Sequence, residues 1–132
     1  MSEPRVLVWL LIERAGAVLL VRRKADRPPF AGQWLLPGDA MPAEESASET
    51  VERVGREELG VSVTGEEFVE TLSLRDGRAE YAVNVFRVGV EGTPRYRESG
   101  PYAEARWAPP SELPEALPEG LAALLRLIGS AA

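Results

Sequence analysis

The chain of 132 residues contains no cysteine and no histidine, and only one lysine (Lys24) and one asparagine (Asn84). The missing cysteines exclude disulfides and thiol nucleophiles; the missing histidines exclude every histidine-based triad, and the two absences together exclude the usual zinc sites. Catalysis would have to use carboxylates, arginine, the single lysine, hydroxyls, backbone amides or a metal held by oxygen. Long apolar runs are also lacking. Val6–Ile12 stops at Glu13, far short of the roughly 20 residues that a helical membrane span needs. The N-terminal Met1-Ser2-Glu3-Pro4 carries no basic leader. A soluble, cytoplasmic protein is therefore expected.

Positive charge is in deficit. Fifteen basic residues face 21 acidic ones, for a net charge of −6. That balance disfavours a protein that coats nucleic acid or anionic membrane. It leaves room for a small anionic substrate neutralised by a divalent cation. What remains is an ordinary globular composition, 45% hydrophobic and 27% charged. The length suits one domain over residues 1–132.

Val6–Ile12 and Ala17–Arg23 read as strands around a turn at Glu13–Gly16, either a hairpin or two neighbours in a mixed sheet. Neither alternates strictly, which predicts that both faces of the sheet are covered. Residues 25–32, with Pro28, Pro29 and Gly32, read as a loop, and Gln33–Leu36 as a short extended piece. Ser46–Leu59 is the clearest helix, with acidic residues near its start and Gly60 just past its end. Asp76-Gly77 predicts a tight hairpin between strands at Phe68–Arg75 and Glu80–Val90. Glu104–Ala108 reads as a strand and Ser111–Leu113 as one helical turn. Leu117, Leu121, Leu124, Leu125 and Ile128 recur at helical spacing. The order of elements predicts an α+β fold or a three-layer α/β/α sandwich.

The most informative stretch is Leu36-Pro37-Gly38-Asp39, Glu44-Glu45, Arg53 and Arg56-Glu57-Glu58-Leu59-Gly60-Val61. It resembles the signature of the Nudix hydrolases: Gly, five residues, Glu, seven residues, then Arg-Glu-aliphatic-x-Glu-Glu-x-Gly-aliphatic. Anchored on Glu57–Val61, Arg53 takes the arginine position and Glu45 the first glutamate. The flanks agree, from Leu19–Arg23 and Phe30–Gly38 to Glu104–Trp107 and Ser111–Leu113. The resemblance implies an α/β/α sandwich with a mixed β-sheet between helices. It also implies divalent-metal-dependent hydrolysis of a nucleoside diphosphate linked to another moiety.

By this resemblance Glu57 and Glu58 hold Mg²⁺ or Mn²⁺, and Arg53 orients the site. Arg23, Trp34, Gly38 and Glu45 are the substrate-side candidates, with Glu98 as an extra catalytic carboxylate from a loop. Glu45 reads equally well as a helix-capping charge, and Trp34 as core. The partner is a small nucleotide rather than nucleic acid or membrane, and many relatives are homodimers.

The match breaks at three places. Asp39 stands where the box has Gly, Val54 where it has the Glu after Arg, and Gly55 where it has an aliphatic residue. On a regular helix of about 100° per residue, with Glu57 at 0°, Val54 falls near 60°, between Glu57 and Glu58. Glu52 falls near 220°, on the far side. The expectation is then that Val54 occupies the place of a third carboxylate, so that hydrolysis is slow or helped by Glu98. The alternative is a nucleotide-binding or regulatory module with little or no hydrolysis.

Overall fold

A computed structural model describes residues 5–130. Two four-stranded sheets organise them. The first has the order β5-β1-β7-β6, formed by β1 (Arg5–Leu11), β5 (Gly38–Ala40), β6 (Ser62–Asp76) and β7 (Ala79–Glu91). In it β1 runs parallel to β7 and antiparallel to β5, so the sheet is mixed. The second is built on β3 (Ala17–Arg23), flanked by β2 (Glu13–Arg14), β4 (Trp34–Leu35) and β8 (Tyr102–Ala108).

The predicted turn at Ala15-Gly16 closes a hairpin, but only with the two residues of β2. Glu13 pairs with Val18 and Arg14 with Ala17, while β1 itself belongs to the other sheet. The chain changes sheets at Ile12, whose carbonyl still accepts from the Leu19 amide at 2.9 Å. The expectation that β1 and β3 are sheet neighbours is therefore corrected: they are consecutive in the chain but lie in different sheets. The Asp76-Gly77 hairpin forms as expected, with Asp76 opposite Ala79 and Gly77 at φ 62°. Its strands are longer than the sequence implied.

The lack of alternation in β1 has its anticipated cause. Leu7, Trp9 and Leu11 enter one core with Val18, Leu20, Val83, Val85, Leu121, Leu124 and Leu125. Val8, Leu10 and Ile12 point the other way, into a second core with Leu19, Val51, Val54, Leu59, Val61 and Val88. The helix α2 (Glu119–Ser130) supplies the first core and α1 (Ala47–Arg53) the second. This is the mixed-sheet, two-helix arrangement that the box implied. Residues 111–113 form a turn rather than a helical one, with Glu112 N–H donating to the Pro109 carbonyl at 2.9 Å. Among the described residues no helix is long and apolar enough to cross a membrane.

Candidate active site

The box begins at an edge strand under tight steric control. A Cβ on Gly38 would lie 2.2 Å from the Val8 carbonyl oxygen and 2.5 Å from Trp9 Cδ1, so only glycine fits. The loop after β5 leads to Ser46, which caps α1. Its side chain accepts from the Glu49 amide at 3.1 Å, while Glu49 accepts from the Ser46 amide at 2.9 Å, a reciprocal capping box. The cap thus belongs to Ser46 and Glu49, which frees Glu45 for another role.

That role is to hold Arg53. The Arg53 guanidinium donates to Glu45 through Nε (2.9 Å to Oε2) and Nη2 (3.1 Å to Oε1), and to Asp39 through Nη1 at 3.0 Å. The Thr50 hydroxyl adds a 2.8 Å bond to Glu45. Arg53, and secondarily Thr50, hold the Glu45 carboxyl below its usual range, and Glu45 in turn raises the Arg53 pKa. Asp39, the departure at the box glycine, is therefore a partner of the box arginine. Arg53 ties both ends of the loop to the helix.

After Arg53 the backbone widens into a π-helical turn over Val54–Glu58. The regular-helix expectation fails here, and burial explains why. A π-turn acts like one inserted residue, so upstream side chains lag by about 100°. Relative to Glu57 at 0°, Val51 then lies near 220°, Val54 near 160° and Leu59 near 200° (all about, on a regular wheel). The three form one stripe, and all three are buried in the second core. In an unbroken helix they would spread over about 140°. Gly55 makes the turn possible at close range: a Cβ there would sit 2.9 Å from Val63 Cγ2.

Two corrections follow. Val54 does not occupy the space of a missing carboxylate between Glu57 and Glu58; it is fully buried. The same shift carries Arg53 to about 60° and Glu52 to about −40°, off the far side where the regular wheel had put it.

Glu58 ends the π-turn half-buried, and Glu57 beside it is exposed. Glu58 accepts a hydrogen bond from the hydroxyl of Tyr102, which is 1% exposed. That hydroxyl also accepts from the Gly38 amide at 2.9 Å. Burial pushes the Glu58 carboxyl up to about 7; the Tyr102 bond pulls it down, nearby Asp39 pushes it up, and Arg23 and Arg53 pull it down. Tyr102 is itself raised, first by burial and then by Glu58.

Next to this junction lies a cavity of about 210 Å³. Leu7, Trp9, Pro28, Pro29, Phe30, Leu35 and Leu36 give it apolar walls, and Arg23, Asp39 and Tyr102 add its polar groups. Arg23 is fixed by bonds to the carbonyls of Arg27 (2.8 Å) and Pro28 (3.3 Å).

The structure thus gathers Arg23, Gly38, Glu45, Arg53 and Glu58 around one junction, with Glu57 on the adjoining surface. Trp34 does not join them. It is buried in the first core, carries the Arg106 guanidinium 5.3 Å from its ring centroid, and is absent from the cavity wall, where Trp9 and Phe30 stand instead. Glu98 lies on an exposed loop, its backbone carbonyl accepting from the Lys24 ammonium. Among the described residues its carboxylate takes no part in the Arg53 or Tyr102 networks. Asp39, Thr50 and Tyr102 are the site residues that sequence reasoning passed over. Only Asp39 left a signal, as a departure from the box.

Carboxylate oxygens are the donor type that a hard divalent cation takes. Glu57 and Glu58 match it in kind, but among the described residues no group of three or more such side chains is arranged to hold an ion.

With this geometry in view, the likeness to known proteins is specific. The NUDIX domain profile matches residues 1–128. Nucleoside triphosphatase NudI of Escherichia coli O139:H28 is 29% identical over 119 residues, covering 83% of this chain and 84% of that protein. The crystal structure of a MutT NUDIX hydrolase from Burkholderia pseudomallei superposes with a TM-score of 0.83 at 28% identity, covering 95% of this chain and 98% of that one. The MutT protein from Methanosarcina mazei Go1, at 24% identity, shares the fold with a TM-score of 0.86 over 99% of this chain and 97% of its own. The chain belongs to the Nudix family, hydrolases that act on phosphoric anhydride bonds.

Proposed function

We propose that the chain hydrolyses a phosphoric anhydride of a nucleotide, with nucleoside triphosphates as the first substrates to examine. One observation carries this reading: the apolar cavity and the box meet at Gly38, Asp39 and Tyr102. A base can enter apolar walls there while its phosphates lie toward Glu57 and Glu58. The likeness to a nucleoside triphosphatase supports the choice of substrate.

The residues then divide the work. Arg23, held at the cavity by two backbone carbonyls, offers positive charge to a phosphate. Arg53 keeps the loop carrying Asp39 and Glu45 against the helix. Glu57 and Glu58 would hold Mg²⁺ or Mn²⁺, which when bound supplies charge neutralisation at phosphorus and a more acidic water. The Gly38 amide is occupied by Tyr102 and does not serve as a phosphate donor. Val54 is a core residue and not a plug in the metal face, but the box carboxylate it replaces is still missing, and that absence is what favours the regulatory-module alternative.

The test is a panel of nucleoside triphosphates, dinucleotides and sugar nucleotides with Mg²⁺ or Mn²⁺, products identified by ³¹P NMR. Metal-dependent release of phosphate or pyrophosphate from a member of the panel is expected. No release from any member, by protein shown to be folded and to bind nucleotide, would replace the reading with the module.

A further inference from the structure

We propose that Tyr102 is a positioning residue for hydrolysis, locking Glu58 of the box to Gly38 at the start of the box through one buried hydroxyl. The proposal rests on the reading of the site given above, in which Glu58 acts on the substrate's phosphates. The geometry is specific. The Tyr102 hydroxyl receives the Gly38 N–H at 2.9 Å and lies 3.1 Å from the Gly38 carbonyl oxygen, while bonding Glu58. A phenol has one proton to give. An ionised carboxylate takes it in preference to the carbonyl, because a charge-assisted bond is the stronger. The hydroxyl therefore donates to Glu58 and accepts from Gly38.

Three segments far apart in the chain meet at this atom. Gly38 lies 64 residues before Tyr102 and Glu58 lies 44 before it. Gly38 sits where a Cβ would run into Val8 and Trp9, so its backbone lies close against β1. Tyr102 is anchored in β8, which pairs with β3, and Arg23 there stands opposite Tyr102. The hydroxyl thus ties Glu58, on a distorted turn, to strands β5 and β8. Arg53 does the corresponding task for Asp39 and Glu45. Together they hold the box at both ends, by a guanidinium and a phenol.

Tyr102→Phe removes the hydroxyl and keeps the ring. Tyr96→Phe is the control: Tyr96 donates to the backbone carbonyl of Ala103, beside Tyr102, at 3.2 Å and its hydroxyl bonds neither Glu58 nor Gly38. With the best substrate of the panel, Tyr102→Phe should lower kcat about 10- to 100-fold with KM changed less than about threefold. Tyr96→Phe should leave both within about twofold of the unmodified protein. In a Glu58→Gln background Tyr102→Phe should lower kcat no further, because its effect passes through Glu58.

An unchanged kcat, a loss matched by Tyr96→Phe, a change in KM alone, or full additivity with Glu58→Gln would each overturn the proposal. If the unmodified protein hydrolyses nothing, the functional reading fails by itself and hydrogen exchange at the Gly38 amide decides. Exchange at least tenfold faster in Tyr102→Phe, and unaltered in Tyr96→Phe, would uphold the lock; unaltered exchange in both would overturn it.

Discussion

The two helices of this protein bury comparable apolar stripes against opposite faces of β1, by different means. In α2, Leu121, Leu124 and Leu125 follow regular helical spacing into the first core, and nothing in the helix needs to bend. Through α1 and the turn after it a regular helix would scatter Val51, Val54 and Leu59, and the backbone widens at Val54–Glu58 to align them. The widened turn is also what carries Glu57 and Glu58. Core packing on one side of the helix therefore sets where the box carboxylates stand on the other. In the proposed reading, packing on α2 is free of chemistry, whereas on α1 and the turn after it the two are joined.

The largest expected effect breaks that junction. Val54→Glu restores the box letter but buries a carboxylate where Val8, Leu10 and Leu59 pack. Burying an unpaired ionisable group is among the costliest single changes. Urea unfolding should show a loss of about 5 kcal/mol, and metal-dependent hydrolysis should not rise in the fraction that stays folded. A stable variant with higher activity would mean that position 54 faces the substrate and that the π-turn is not the working conformation.

Leu124→Ala makes the matching cut in α2. Leu124 is 5% exposed, so its truncation should cost about 2–5 kcal/mol. Here kcat and KM should stay within about twofold, measured well below the melting temperature. A selective fall in kcat with stability kept would place α2 in the site and erase the contrast between the helices.

The smallest effect sharpens the contrast through pH. The Glu58 carboxyl stands at about 7 in the folded protein, against about 4.3 for an unperturbed glutamate. Between those values the folded state holds a proton that the unfolded state has lost. Stability of the metal-free protein should therefore fall as pH rises from about 4.3 through about 7, by about 3 kcal/mol. Thermal melts in chelator at pH 5 and pH 8 check this. Glu58→Gln should remove that part of the pH dependence and raise the melting temperature at pH 8. Equal pH profiles for the two proteins would show that Glu58 is solvated like Glu57.

The sequence made α2 and the Asp76-Gly77 hairpin legible because each rests on local rules, apolar spacing in one and a turn dipeptide in the other. It made β1 legible as a strand with two covered faces, yet not its sheet, since the change of sheet at Ile12 depends on pairing with residues 79–91. Gly55 marked the spot where the helix could deform. What decided that it does deform was the burial of Val51, Val54 and Leu59 together, a tertiary fact. The box letters pointed to Arg53, Glu45 and Glu58, and the structure sets them in two neighbouring networks, Arg53 and Glu45 with Asp39 in one and Glu58 with Tyr102 and Gly38 in the other. Tyr102 was illegible because its partners lie 44 and 64 residues away and its own neighbours carry no motif.

In the proposed function the π-turn that follows α1 carries the chemistry. The most direct test is the rate of Mg²⁺-dependent phosphate or pyrophosphate release by Glu58→Gln, measured beside the unmodified protein on the same nucleoside triphosphate. A carboxylate that serves the reaction directly is worth about 10²–10⁴ in rate. A loss of that size is expected in a variant that is folded and, at pH 8 without metal, more stable than its parent. A Glu58→Gln protein as fast as its parent would contradict it.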